Sequence, residues 1–200
     1  MALGARGYVR IGATIAGCAL VAACTPDQPP AVTPTPAPSP TPTSAVSTPV
    51  ETDIERKERL AYAAAESAYK SAVEESDRVA RAGGSERVTP ALGEVAAGDY
   101  LRLQMSSLSN LKKRGHRQEG GVTIVGVKRD GGYQPDRVRL LACEDNSTWK
   151  IVDKSGKNVT PKDVPDYVQS LIVRKIDGSW KVWDGATRQV QHLPLRECQS

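Results

Sequence analysis

Residues 168–183 read Val168-Gln169-Ser170-Leu171-Ile172-Val173-Arg174-Lys175-Ile176-Asp177-Gly178-Ser179-Trp180-Lys181-Val182-Trp183. Two runs rich in β-branched and aromatic residues flank Asp177-Gly178, a dipeptide that enters the positive φ angles of a tight hairpin turn at low cost. The stretch predicts strand, turn and antiparallel strand. Side chains alternate along a strand. If Trp180 points inward, Val182 does too, and Trp183 is left outward as a contact residue.

Upstream, the same period of two recurs as far as Gly121. Val122-Thr123-Ile124-Val125-Gly126-Val127 reads as a strand, and Gly131-Gly132 marks a turn. Arg137 to Cys143 sets Val138, Leu140 and Ala142 against Arg137, Arg139 and Leu141. Trp149-Lys150-Ile151-Val152 leads into a turn at Lys154-Ser155-Gly156-Lys157, then Asn158-Val159-Thr160. Downstream, Val190 to Leu193 adds a last strand.

Before Gly121 the period is helical. Thr52 and Glu55 form a capping box, in which each side chain reaches the other residue's backbone N–H. Ala61, Ala65, Ala68, Ala72 and Val79 then share one face, widened by Leu60, Tyr62, Tyr69 and Val73. So much alanine on that face implies close approach to a sheet. Glu55–Arg59, Glu66–Lys70 and Glu74–Arg78 stand four apart in the favourable order, and Gly83-Gly84 stops the helix. A helical turn follows Pro90. Asp99 reads as the N-cap of a second long helix carrying Leu101, Met105, Leu108 and Leu111, with Gly115 at its end. Helices first and antiparallel strands afterwards define an α+β domain over 53–200, long enough for one ordinary core.

The chain ahead of this domain cannot build a core. Proline stands at 26, 29, 30, 34, 36, 38, 40, 42 and 49 among Thr, Ser and Ala, so 24–52 is read as a linker favouring polyproline II. At about 3.1 Å per residue it reaches about 90 Å when fully extended. Residues 1–23 read as a secretory signal: Arg6 and Arg10 precede a charge-free apolar run, Ile11 to Ala23. That run is too short to span a membrane, which takes about 20 residues. Val21-Ala22-Ala23-Cys24 has the branched-small-small-cysteine order of a lipobox, which makes Cys24 the expected site of a diacylglycerol, with a further acyl chain such as palmitate on the new amino terminus. Two chains or more hold a protein stably on a membrane. Ile15-Ala16-Gly17-Cys18 fits the same pattern behind a shorter apolar run, so Cys18 is the alternative site. The expected location is the extracytoplasmic face of the cell membrane, held by the lipid.

Loss of Arg6 and Arg10 lowers the formal charge from +4 to +2. The local cluster Lys112-Lys113-Arg114-Gly115-His116-Arg117 suits a helix C-terminus, where cations meet the negative end of the dipole. No nucleic-acid partner is expected. With Cys18 and Cys24 assigned to the leader and the anchor, Cys143 and Cys198 remain and most simply form a disulfide outside the cytoplasm.

The element order resembles the NTF2-like fold, a curved antiparallel sheet wrapped around N-terminal helices as a cone. More narrowly, the Pro/Thr linker, Tyr62 and Tyr69, the helix ending at Gly115, Cys143-Glu144-Asp145-Asn146-Ser147, Lys154-Ser155-Gly156-Lys157, Gly178-Ser179-Trp180-Lys181-Val182 and Cys198 resemble secreted lipoproteins of actinobacteria and their phages. The resemblance implies a fold and a disulfide, and no activity, because NTF2-like domains host enzymes, binders and inert scaffolds alike.

Catalytic signatures are sparse. Ser67-Ala68-Tyr69-Lys70 is an SxxK and Lys154-Ser155-Gly156 resembles a KSG strand, but the Ser-x-Asn element of penicillin-recognising enzymes is missing and SxxK recurs at Ser109 to Lys112. His116 and His192 lie far apart without metal-ligand spacing. No metal and no cofactor are expected. A cone cavity would place Asp145, Tyr62, Tyr69 and Tyr100 as the first candidate pocket residues. The expectation is a non-enzymatic, lipid-anchored envelope protein that presents its domain to a protein or a small ligand. If a phage carries the gene, that role extends to excluding a superinfecting phage. The competing expectation is a cavity-based enzyme or ligand carrier.

Overall fold

A computed structural model describes residues 50–162, 164–190 and 198. The signal, Cys18, Cys24, most of the linker, His192 and residues 191–193 of the expected last strand lie outside them. Three helices, α1 (Asp53–Arg81), α2 (Pro90–Val95) and α3 (Gly98–Arg114), precede six strands: β1 (Arg117–Glu119), β2 (Thr123–Arg129), β3 (Arg137–Asp145), β4 (Lys150–Val152), β5 (Asp166–Ile176) and β6 (Ser179–Val190). The fold is mixed α+β, with helices packed on antiparallel sheets.

α1 begins at the expected capping box: Glu55 N–H donates to Thr52 Oγ1 at 3.2 Å and Thr52 N–H to Glu55 Oε2 at 2.7 Å. The box occupies the Glu55 carboxylate, so Arg59 turns instead to Glu51 at 2.8 Å. Arg78 likewise pairs with Glu75 rather than Glu74, whereas Lys70 meets Glu66 as expected. After Arg81 the chain turns on Gly83 and Gly84, and a side chain at Gly84 would collide with the Leu108 carbonyl oxygen of α3 at 2.1 Å. The two long helices therefore approach backbone to backbone at this corner.

Thr89 caps α2 through Leu92 N–H at 3.2 Å, with Pro90 in the first turn, where its missing N–H costs nothing. The start of α3 differs from the reading of Asp99 as its N-cap. Ala97 is the N-cap and bears no side-chain cap, while Asp99 lies in the first turn and accepts from Arg102 at 3.0 Å. The sheet sets this start: Ala96 bridges to Val182, and Ala97 N–H donates to the Val182 carbonyl at 2.9 Å. At the far end Gly115 takes the left-handed conformation (φ 65°) that ends α3 after Lys112, Lys113 and Arg114.

The main sheet has the order β2-β3-β5-β6, all antiparallel, and β1 pairs with β4 in a separate ribbon. The Asp177-Gly178 hairpin joins β5 to β6 as read from the sequence, and β6 runs on to Val190 as one strand. Leu140, Leu171, Val173 and Val182 are fully buried on the inner face, against the α1 stripe of Ala61, Ala65, Tyr69, Ala72 and Val73. Each such aliphatic side chain contributes about 1.5–3 kcal/mol when withdrawn from water. The alanines let the helix backbone lie close to the sheet.

Alternation in β3 holds from Arg137 to Ala142 and then stops: Ala142, Cys143 and Glu144 are all buried. Cys143 faces outward but is covered, because a disulfide joins it to Cys198, 55 residues on. The carbonyl of Cys198 crosses directly over Gly126 of β2, where a Cβ would meet it at 1.9 Å. Trp183 is the extra residue of a bulge, since Ile172 pairs with Asp184 and Val173 with Val182. It is not a free contact residue: the Arg174 guanidinium stacks 5.0 Å from its ring centroid, and α3 begins against it at Gly98.

Candidate functional site

Helical spacing on α1 carries Tyr69, Val73, Asp77 and Ala80 down one face, and the same spacing on α3 carries Tyr100, Gln104, Leu108 and Leu111. Between these faces, β3–β5 and the β1–β4 ribbon lies a cavity of about 630 Å³. Its inner wall includes Val73, Asp77, Tyr100, Leu108, Gln118 and Glu144, all buried; its mouth is edged by the exposed Leu103, Asn110 and Arg114, with Trp149, Ile151 and Val164 half-buried opposite.

Two carboxylates lie in this wall. Glu144 is 5% exposed, and its Oε1 accepts from the Tyr69 hydroxyl. Burial pushes its carboxyl above the usual range; the hydrogen bonds of Tyr69 and Gln169 oppose that rise, and the charge of Asp77 adds to it. Tyr69 and Tyr100 are raised as well, by burial first and then by the charge of Glu144. Asp77 accepts from Gln118 Nε2 at 2.7 Å and from the Val122 N–H at 2.9 Å, with Arg81 3.6 Å away. Ser76 Oγ, buried in the same wall, has no hydrogen-bond partner among the described residues.

The candidates read from the sequence divide. Tyr100 lines the cavity and Tyr69 reaches its wall through Glu144. Tyr62 lies two turns before Tyr69, donates to the Gly131 carbonyl at 2.8 Å and stacks beneath Arg129, so it braces the far end of α1 and does not line the cavity. Asp145 is the clearest correction. The strand pleat turns it away from the cavity, where its Oδ1 accepts the Ser147 N–H at 2.7 Å, and that bond holds its carboxyl below the usual range. The carboxylate that lines the cavity is its neighbour Glu144. Val138, Leu140 and Ala142 already marked the inner face, and two residues further on lies Glu144. Asp77 carried a similar signal, four residues after Val73 on a buried helical stripe. Gln118 gave none: Arg117-Gln118-Glu119 is wholly polar, and only the structure shows it as a strand. Lys70 of the SxxK sequence is engaged with Glu66 on the helix surface.

No family model matches the chain, and no curated protein matches it. Among solved structures it is similar to the intermembrane-space region of the chloroplast protein ARC6, at 18% identity and a TM-score of 0.43, over 66% of this chain and 97% of that one. It is also similar to a cystatin-like domain of unknown function from Nostoc punctiforme, at 12% identity and a TM-score of 0.34, over 70% of this chain and 81% of that one. A second cystatin-like protein of that organism shows 17% identity and a TM-score of 0.26, over 72% of this chain and 97% of that one.

Proposed function

We propose that this chain is a lipoprotein of the secreted actinobacterial and phage type, held on the outer face of the cell membrane by an acylated Cys24, and that its domain is an NTF2-like cone that binds a small ligand. The single observation that supports ligand binding is the cavity itself. At about 630 Å³ it falls within the range of small-molecule sites, about 300–1,000 Å³, and it combines an apolar lining with a few inward polar groups. The lipobox and the proline-rich spacer support the anchor. In this reading the protein is a binder and not an enzyme, and it holds its cargo outside the cytoplasm.

A second reading, acid–base catalysis in the same cavity, is favoured by the raised carboxyl of Glu144 beside Tyr69. The two readings separate on turnover: an enzyme converts its ligand and loses that conversion in Glu144→Gln, whereas a binder releases its ligand unchanged. The anchor is tested by mass spectrometry of the membrane fraction: an acylated peptide beginning at Cys24 is expected, and Cys24→Ser should release the protein from the membrane. An unacylated chain still carrying residues 1–23 would discard the anchored reading. For a phage-borne gene, expression in a sensitive host should lower plating of a superinfecting phage; unchanged plating removes that role.

A further inference from the structure

Among the described residues, the Glu144 carboxyl on the inner wall has no cationic partner. Asp77, on the same wall, is held by an amide, a backbone N–H and the nearby Arg81. Glu144 has Tyr69 and Gln169, both neutral, and the groups acting on it include no cation. A carboxylate this deeply buried is costly unless it is neutralised or paired. Its position also matters: beyond those two partners it borders the cavity. The Ser76 hydroxyl, without a hydrogen-bond partner among the described residues, lies in the same lining. Towards the mouth the lining turns apolar at Leu111, Ile151, Trp149 and the exposed Leu103.

We infer that the cavity takes a cationic amphiphile, whose amine or guanidine group enters first and is bound by Glu144, while its apolar remainder lies along Leu108, Leu111 and Ile151 toward the mouth. This rests on the proposal that the cavity is a ligand site and specifies what that ligand carries. The inward end supplies what Glu144 lacks, a positive charge with N–H donors. Ser76 Oγ and the side-chain amides of Gln104 and Gln169, elsewhere in the lining, can each accept a hydrogen bond from such a group. The charged groups facing the void elsewhere are Asp77 on the inner wall and Arg114 at the edge of the mouth, with the His116 imidazole also in the lining. The Arg114 guanidinium at the edge disfavours a cationic head lodged there and so reinforces its seating at the inner end.

The test compares three probes with one chain length and different heads: octylamine, octanol and octanoate. Each is titrated at neutral pH into the full chain carrying Cys18→Ser and Cys24→Ser, so that no acyl group competes for the cavity. The indole N–H signal of Trp149 reports occupancy. A charge-assisted hydrogen bond to a buried carboxylate should favour octylamine over octanol by about tenfold or more. On Glu144→Gln, octylamine should bind no more tightly than octanol. Equal binding of the three probes, tighter binding of octanoate, or an octylamine affinity unmoved by Glu144→Gln would overturn the inference while leaving the cavity as a ligand site. If no probe moves the Trp149 signal, both the inference and the ligand-binding proposal fall. The comparison of probes on the unsubstituted cavity stands even if Glu144→Gln folds poorly.

Discussion

The hydroxyl of Tyr69 donates to Oε1 of Glu144, and this bond joins the middle of the first helix to the end of an interior strand across 75 residues of sequence. Both partners are buried, so each is the other's main substitute for water. The bond also fixes the direction in which the carboxylate faces the cavity.

Tyr69→Phe keeps the ring and removes the donor. Leaving a buried carboxyl without its hydroxyl partner should cost about 1–3 kcal/mol, read as a lower urea midpoint at unchanged slope. The Glu144 carboxyl should also titrate at still higher pH, because the lost bond favoured its charged form. Carbon NMR of the side-chain carboxyl would show this, and an unmoved titration would mean the bond is weak in solution.

Glu144 imposes a pH dependence of definite sign. Its carboxyl is held above 4.5 in the folded chain and returns to the ordinary value on unfolding. Between those two values the folded state keeps the proton more firmly, so this group's contribution is fullest below 4.5 and is lost as pH rises through the raised value. Glu144→Gln removes the effect. The melting temperature of Glu144→Gln relative to the parent should therefore climb as pH rises above 4.5. A difference flat with pH would contradict the assignment.

Reduction of Cys143–Cys198 opens a loop spanning 55 residues. Loop-closure entropy then predicts a loss of about 4 kcal/mol in unfolding free energy, measured by denaturant titration with and without reductant. Coincident curves would show that the bond contributes nothing to stability.

Gly126→Ala tests how closely the tail is seated. The new methyl would stand 1.9 Å from the Cys198 carbonyl oxygen, so either β2 or the tail must shift. A cost of about 1–3 kcal/mol is expected, with faster reduction of the disulfide. Unchanged reduction kinetics would show that the tail lies looser than this contact implies.

The succession of elements was legible because the apolar period changes from about four to two at Gly121, and because Thr52, Gly83, Gly115 and Asp177-Gly178 punctuate it. The start of α3 was not, since its first turn is fixed by a backbone bond to Val182 that no local side chain announces. β1 was not, since three polar residues carry no period. The site was half legible. Tyr69 and Tyr100 were named and lie at the cavity, whereas Asp145 was named and its neighbour Glu144 is the residue that faces inward. Extending the count from Val138 by twos would have selected Glu144. What the sequence could not supply was the partner that makes burial of that acid tolerable, a tyrosine 75 residues earlier in the chain.

The opening turns of α1 stand clear of the core: Leu60 is 55% exposed and Ala61 only 6%. From Asp53 to Leu60 the helix projects about 12 Å at about 1.5 Å per residue, and every residue that α1 gives to the cavity wall comes later, from Tyr69 onward. Tension arriving through Thr52 would unwind this overhang first and stop at Ala61, where the buried stripe begins. On the proposed anchor and ligand, this overhang is a shock absorber between the tether and a cargo seated beside Glu144.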